Sequence, residues 1–175
     1  MLVSVVLMPF VASAQKKQLS QARDYIKSGK NLDKAESILR TQLQDSAQRN
    51  NIKVWQMLVE SLTAQYEQGN EQLYLKQKYD TLAFFTTTRK IFSAAESADS
   101  VDMRPDEDGR VHPKYRSHNA EYLRNIMPNL YYGGVYFVNK KDYKRASEYF
   151  DHFISLPKQP IFTGVRLDTA STMVV

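Results

Sequence analysis

Apolar residues recur at steps of three and four along most of the chain, the spacing of one buried face on a helix. Leu19, Ala22 and Ile26 form one such row, and Leu32, Ala35, Ile38 and Leu39 a second. Ser28-Gly29-Lys30-Asn31 separates them, which predicts two helices joined by a tight turn. A third row, Val54, Trp55, Leu58, Val59, Leu62 and Tyr66, is expected to stop at Gln68-Gly69-Asn70. A fourth runs from Leu73 to Ala98 through Tyr79, Leu82, Phe85, Ile91, Phe92 and Ala95. Asp80 or the threonines at 86–88 would divide it, because β-branched residues sit less easily in helices.

Residues 99–118 lose the periodicity and contain Pro105, Gly109 and Pro113, so they read as an acidic loop that is long for a compact domain. Helical spacing returns at Asn119 with Tyr122, Leu123 and Ile126, and Pro128 starts or kinks the next helix. Asn139-Lys140-Lys141-Asp142 then turns the chain into a last helix from Tyr143 to about Leu156, stopped by Pro157 and Pro160. The fold class is all-α.

Residues 19–39 slide onto 130–150 at a constant offset of 111. Leu19 falls on Leu130, Ile26 on Phe137, Leu32 on Tyr143, Ala35 on Ala146 and Leu39 on Phe150. An alanine at the same point of each second helix lets the two helices of a hairpin cross closely. The frame resembles the tetratricopeptide repeat, whose unit of about 34 residues carries W-x2-L-G-x2-Y, then A-x3-F, then Pro. Leu130, Gly134, Phe137 and Ala146-x3-Phe150 fall on those slots, as do Trp55 and Leu58 of a middle unit whose second helix has Glu71 where the alanine belongs. Gly133 replaces a large apolar residue and leaves room beside Tyr131 and Tyr132, either slack in a degenerate repeat or the floor of a binding groove.

The resemblance implies helix–turn–helix repeats stacked as a short right-handed α-solenoid over residues 16–160. In such arrays the first helix of each unit lines a concave surface. Here that lining would comprise Lys17, Ser20, Asp24 and Lys27, then Lys53, Gln56, Glu60 and Thr63, then Tyr131, Val135 and Val138. The strongest partner-binding candidates are Lys53, Gln56, Glu60, Tyr131, Val135 and Val138. Family members that clamp a terminal carboxylate use a lysine and asparagine pair, where this chain has Ser20 and Asp24.

The first fourteen residues, MLVSVVLMPFVASA, are uncharged and end in Ala-Ser-Ala before Gln15-Lys16-Lys17. That is too short an apolar run to span a bilayer and has the form of a signal-peptidase site, without the basic segment that ordinarily precedes it. An exported, periplasmic or cell-envelope protein is expected, with no membrane span after signal removal. Together with the repeat, this resembles repeat proteins exported by Bacteroidetes-type bacteria. The expected organisation is a signal peptide at 1–14, two hairpins with an extended helix at 15–98, the acidic loop at 99–118, a third unit at 119–160, and the start of an incomplete element at 161–175.

With 175 residues and 42% hydrophobic composition the chain can bury a core in one or two domains. The absence of cysteine excludes disulfides, thiolate metal sites and a cysteine nucleophile. Net charge is +5, but residues 98–110 carry two basic against five acidic side chains, and elsewhere lysines interleave with acids along helices. Such interleaving solvates a helix face, so nucleic acid is not the expected partner. Gly133-Gly134 fits neither dinucleotide nor phosphate-loop spacing, and no strand is expected before it. Asp106-Glu107-Asp108-Gly109 lacks the remaining acids of a calcium loop, and His112 and His118 stand five residues apart in a loop without helical ligand geometry. His152 reads as an exposed helix residue. No serine or threonine stands in a nucleophile-elbow sequence.

The expected function is therefore non-enzymatic protein–protein interaction with a protein or peptide partner, without a cofactor or metal. The alternative is glycan or polyanion binding at the cell envelope, with Tyr131, Tyr132 and Trp55 as stacking platforms and Lys140, Lys141, Lys144 and Arg145 as anion contacts.

Overall fold

A computed structural model of the chain describes residues 8–168. Residues 1–7 of the expected signal peptide and 169–175 of the expected further element lie outside them. Among the described residues the chain forms eight α-helices and no strand. The helices are α1 (Met8–Ser28), α2 (Leu32–Gln42), α3 (Ser46–Arg49), α4 (Ile52–Tyr74), α5 (Thr81–Asp102), α6 (Arg116–Ile126), α7 (Pro128–Asn139) and α8 (Tyr143–Ser155). Two short 3-10 turns follow, Leu156–Lys158 and Pro160–Phe162. The chain divides into two compact units, 1–65 and 66–175, and α4 runs across the division.

In the first unit α1 and α2 form a hairpin whose turn uses Gly29 and Asn31, both at positive φ. Ala22, Ala35 and Leu39 are fully buried, as the apolar rows predict. α4 is anchored on the start of α2: the Ser61 hydroxyl donates to the Leu32 carbonyl at 3.0 Å, and Gln65 donates to the Glu36 carboxylate at 3.2 Å.

In the second unit α7 and α8 form another hairpin, with α5 packed against α7 and α6. Leu130, Phe137, Ala146, Tyr149 and Phe153 are buried within it. Ile161 and Phe162 are buried too, their turn packing back on α5 and α6, so the apolar pattern after Pro160 begins by closing this unit. The two hairpins break at equivalent points. α1 ends at Ser28 and α7 at Asn139, while α2 starts at Leu32 and α8 at Tyr143, each pair 111 residues apart.

Three expectations change. Gln68-Gly69-Asn70 does not break α4, which continues to Tyr74. Gly69 serves a close approach instead: a Cβ there would lie 2.6 Å from the Tyr79 ring of the returning chain. The interruption comes after Tyr74, where Lys76 adopts φ 54°, and α5 starts afresh at Asp80, whose carboxylate accepts the Leu82 N–H at 2.9 Å. Threonines 86–88 lie inside α5, where Thr88 returns its hydroxyl to the Phe84 carbonyl at 3.0 Å.

The acidic loop is shorter than 99–118, because its end residues belong to helices. Asp99 and Asp102 sit in the last turn of α5 and hold the first turn of α6. Asp102 accepts the N–H groups of Lys114, Tyr115 and Arg116, capping α6 from another helix. Arg116 meets the buried Asp99 carboxylate through Nε and Nη2, both at 2.6 Å, and its pKa is raised first by that hydrogen bond. His152 is not an exposed helix residue: it bonds Glu96 at 2.8 Å and meets the Phe92 ring edge-on.

Candidate functional site

α7 reads PNLYYGGVYFVN and contains no charged residue. Pro128 occupies the first turn, where a missing N–H costs nothing. Its inner face is Leu130, Gly133, Gly134 and Phe137, all buried. A Cβ on Gly133 would stand 2.6 Å from the Tyr149 ring and 3.3 Å from Phe85, and one on Gly134 would stand 2.5 Å from the Phe150 ring. Two consecutive glycines therefore seat two consecutive aromatic rings of α8. The room beside Gly133 is filled, so it is neither slack nor the floor of a groove.

Tyr149 is held on several sides. The Arg89 guanidinium lies 5.4 Å from its ring centroid while pairing with Glu148 at 2.6 Å. Burial pushes the Tyr149 phenol above its ordinary pKa, against opposing contributions from a hydrogen bond with Thr86 and from Arg89 and Arg145.

The outer face of α7 carries Tyr131, Tyr132, Val135 and Val138 at steps of three and four. Tyr131 is half-buried and wedged among Tyr132, Phe150 and Phe153, with centroid separations of 5.6–5.8 Å. Tyr132, Val135 and Val138 remain exposed, at 38%, 36% and 42%. Lys140, Lys141 and Lys144 stand exposed at the end of this stripe, in the α7–α8 turn and the first turn of α8. The one acid of that turn, Asp142, is committed. It caps α8 through the Arg145 N–H at 3.0 Å and pairs with Arg145 Nε at 2.6 Å, the former being the first cause of its lowered pKa.

In the first unit Lys53 and Glu60 are exposed, as are Lys17, Ser20, Asp24 and Lys27, while Thr63 is half-buried. Gln56 is buried and so does not present its side chain to a surface. α4 buries Val54, Gln56, Met57, Leu58 and Val59 together, so its covered arc is wider than one repeat face. Trp55 is half-buried, and its indole N–H donates to the Arg49 carbonyl at 2.9 Å.

Other candidates offer less. A cavity of about 120 Å³ lies beside the Asp99–Arg116 pair, lined also by Glu96, Met103 and Ile161. It is small against the roughly 300 Å³ or more of ordinary ligand pockets, and its charged groups are already engaged, Asp99 with Arg116 and Glu96 with His152. Asp106 folds its loop inward, Oδ1 accepting the N–H of Asp108 and Arg110. His112 lies 3.9 Å from Asp106, and both are largely exposed. Among the described residues no group of three or more His, Asp or Glu could hold a metal, and no helix is long and apolar enough to cross a membrane.

The signal for the outer stripe was already present in the sequence, since an uncharged twelve-residue helix in a chain that is 25% charged has more apolar surface than one packing partner covers. No protein-family model matches the chain, and neither a curated protein nor a solved structure shows significant similarity to it.

Proposed function

We propose that the chain is a non-enzymatic, exported helical-repeat scaffold that binds a protein or peptide partner along the outer face of α7. One observation carries this reading: α7 has no charged residue, yet Tyr132, Val135 and Val138 are open to solvent. A helix that is apolar all round belongs in an interior. α8 and α5 cover one face, and a partner supplies cover for the other. Tyrosine and aliphatic side chains grouped on one face suit an interface core, where a few residues carry most of the binding energy.

The equivalent breaks of the two hairpins, with Ala35 and Ala146 buried at the same repeat position, support a short solenoid of the tetratricopeptide kind. The uncharged leader ending in Ala-Ser-Ala supports export to the periplasm or cell envelope.

A photo-crosslinking amino acid at Val135 tests the reading in envelope extract, with the same group at exposed Ser147 as control. A discrete protein adduct from position 135, absent from 147 and lost when Val138 becomes Asp, is the expected result. Equal labelling from both positions overturns it. The alternative of glycan or polyanion binding gains from Trp55 and Tyr131 each being only half-buried. It requires retention on an envelope-glycan or heparin matrix that survives Val138→Asp and is lost with Tyr132→Ala.

A further inference from the structure

We infer that the segment bound by α7 is an amphipathic helix carrying acidic residues at the end that lies over the α7–α8 turn. This rests on the function proposed above and names the chemical class of the partner.

The helical form follows from the backbone. An extended peptide gains affinity by pairing its main chain with an exposed sheet edge. The outer face of α7 offers no such edge, because a helix spends its interior N–H and C=O groups on itself. A helical segment satisfies its own backbone and needs no such edge, whereas an extended one would leave its backbone to water. The stripe also has the right form. Tyr131, Tyr132, Val135 and Val138 make a ridge on the order of 10 Å long, about two helical turns, into which an apolar row at i, i+3, i+4 and i+7 fits.

The acidic end follows from charge. Lys140, Lys141 and Lys144 are exposed where the stripe stops. Lys140 lies with Nζ 5.6 Å from the Tyr136 ring centroid, and neither Lys141 nor Lys144 enters an ion pair among the described residues. Asp142 pairs directly with Arg145 and offsets Lys144 only through space, so the three lysines outnumber the acid of the turn. An anionic lipid surface shares part of this chemistry. A surface-lying membrane helix, however, carries its cations along the polar face beside the apolar one, whereas these lysines stand at one end of the stripe.

The test uses two designed helical peptides with the same apolar row, one ending in a run of glutamates and the other in a run of lysines. Binding is read by fluorescence anisotropy at low and moderate salt. The glutamate peptide is expected to bind about tenfold more tightly at low salt, with the difference shrinking as salt screens it. Replacing Lys140, Lys141 and Lys144 by Glu reverses the preference, and Val135→Asp with Val138→Asp abolishes binding of both peptides while the helical circular dichroism persists. Equal affinities that the valine variant still abolishes overturn the acidic assignment and leave the proposed protein-binding face standing. Failure of both peptides overturns the inference, and binding of phosphatidylglycerol vesicles in that case assigns the face to a lipid surface.

Discussion

Tyr149 occupies the space that a side chain at Gly133 would need, its ring atoms Cδ1 and Cε1 lying 2.6 Å from where that Cβ would be. The glycine therefore exists for α8. It costs helix stability and returns it as a closely seated, buried aromatic ring that also meets Phe137 at 5.1 Å between centroids.

Restoring a side chain at 133 tests this seat. Gly133→Ala gains about 0.5–1 kcal/mol of helix propensity but forces the buried Tyr149 ring aside, and overpacking costs about 1–3 kcal/mol. A net loss of about 1 kcal/mol is expected as a lower urea midpoint, with Gly133→Leu worse. Gly134→Ala should lose less, because the Phe150 ring it meets is only half-buried. A raised midpoint for Gly133→Ala would refute the packing.

The clasp at the base of residues 103–115 makes a second case. Asp99→Ala strands the Arg116 guanidinium, 18% exposed, against a vacated site, a loss of about 3 kcal/mol by the behaviour of broken buried pairs. Asp102→Ala removes the cap from three amides and should cost about 1–2 kcal/mol, as N-cap losses do. Amide exchange of Lys114, Tyr115 and Arg116 is expected to accelerate in Asp102→Ala before the rest of α6. Unchanged exchange there would show that Asp102 does not cap the helix.

Alkaline titration reports on Tyr149. Its folded pKa is raised above the ordinary value of 10.0 mainly by burial, so the neutral phenol is favoured in the fold. The unfolded chain ionises first. Stability is thus fully present below pH 10 and falls as pH rises through the folded value. Tyr149→Phe should flatten that decline relative to the parent chain, measured as unfolding midpoints from pH 9 upward (about one unit below the ordinary phenol value). An identical slope in both chains would count against a buried phenol.

Much of the fold was legible because helices announce themselves by local spacing. The rows at 19–39 and 130–150 became hairpins with equivalent breaks, since apolar periodicity and turn residues act within a few positions of each other. The repeat resemblance placed Val135 and Val138 at a surface, and both are exposed. Gln56 was not. A repeat frame assigns it outward, whereas α4 is covered over a wider arc than one repeat face provides.

What the sequence alone determined is the all-α class, the two hairpins and the surplus of apolar surface on α7, all consequences of residue spacing and charge along one element. Only the tertiary structure decided what the glycines are for. Gly69 and Gly133 read locally as a helix breaker and an empty place, and each is instead filled by an aromatic ring from a later part of the chain, Tyr79 and Tyr149. In the same way Asp99 and Asp102 read as part of a solvated acidic loop and became a clasp and a cap on Arg116 and its neighbours. A residue's neighbours in space lie beyond any period of its own helix, and these contacts come from packing between elements.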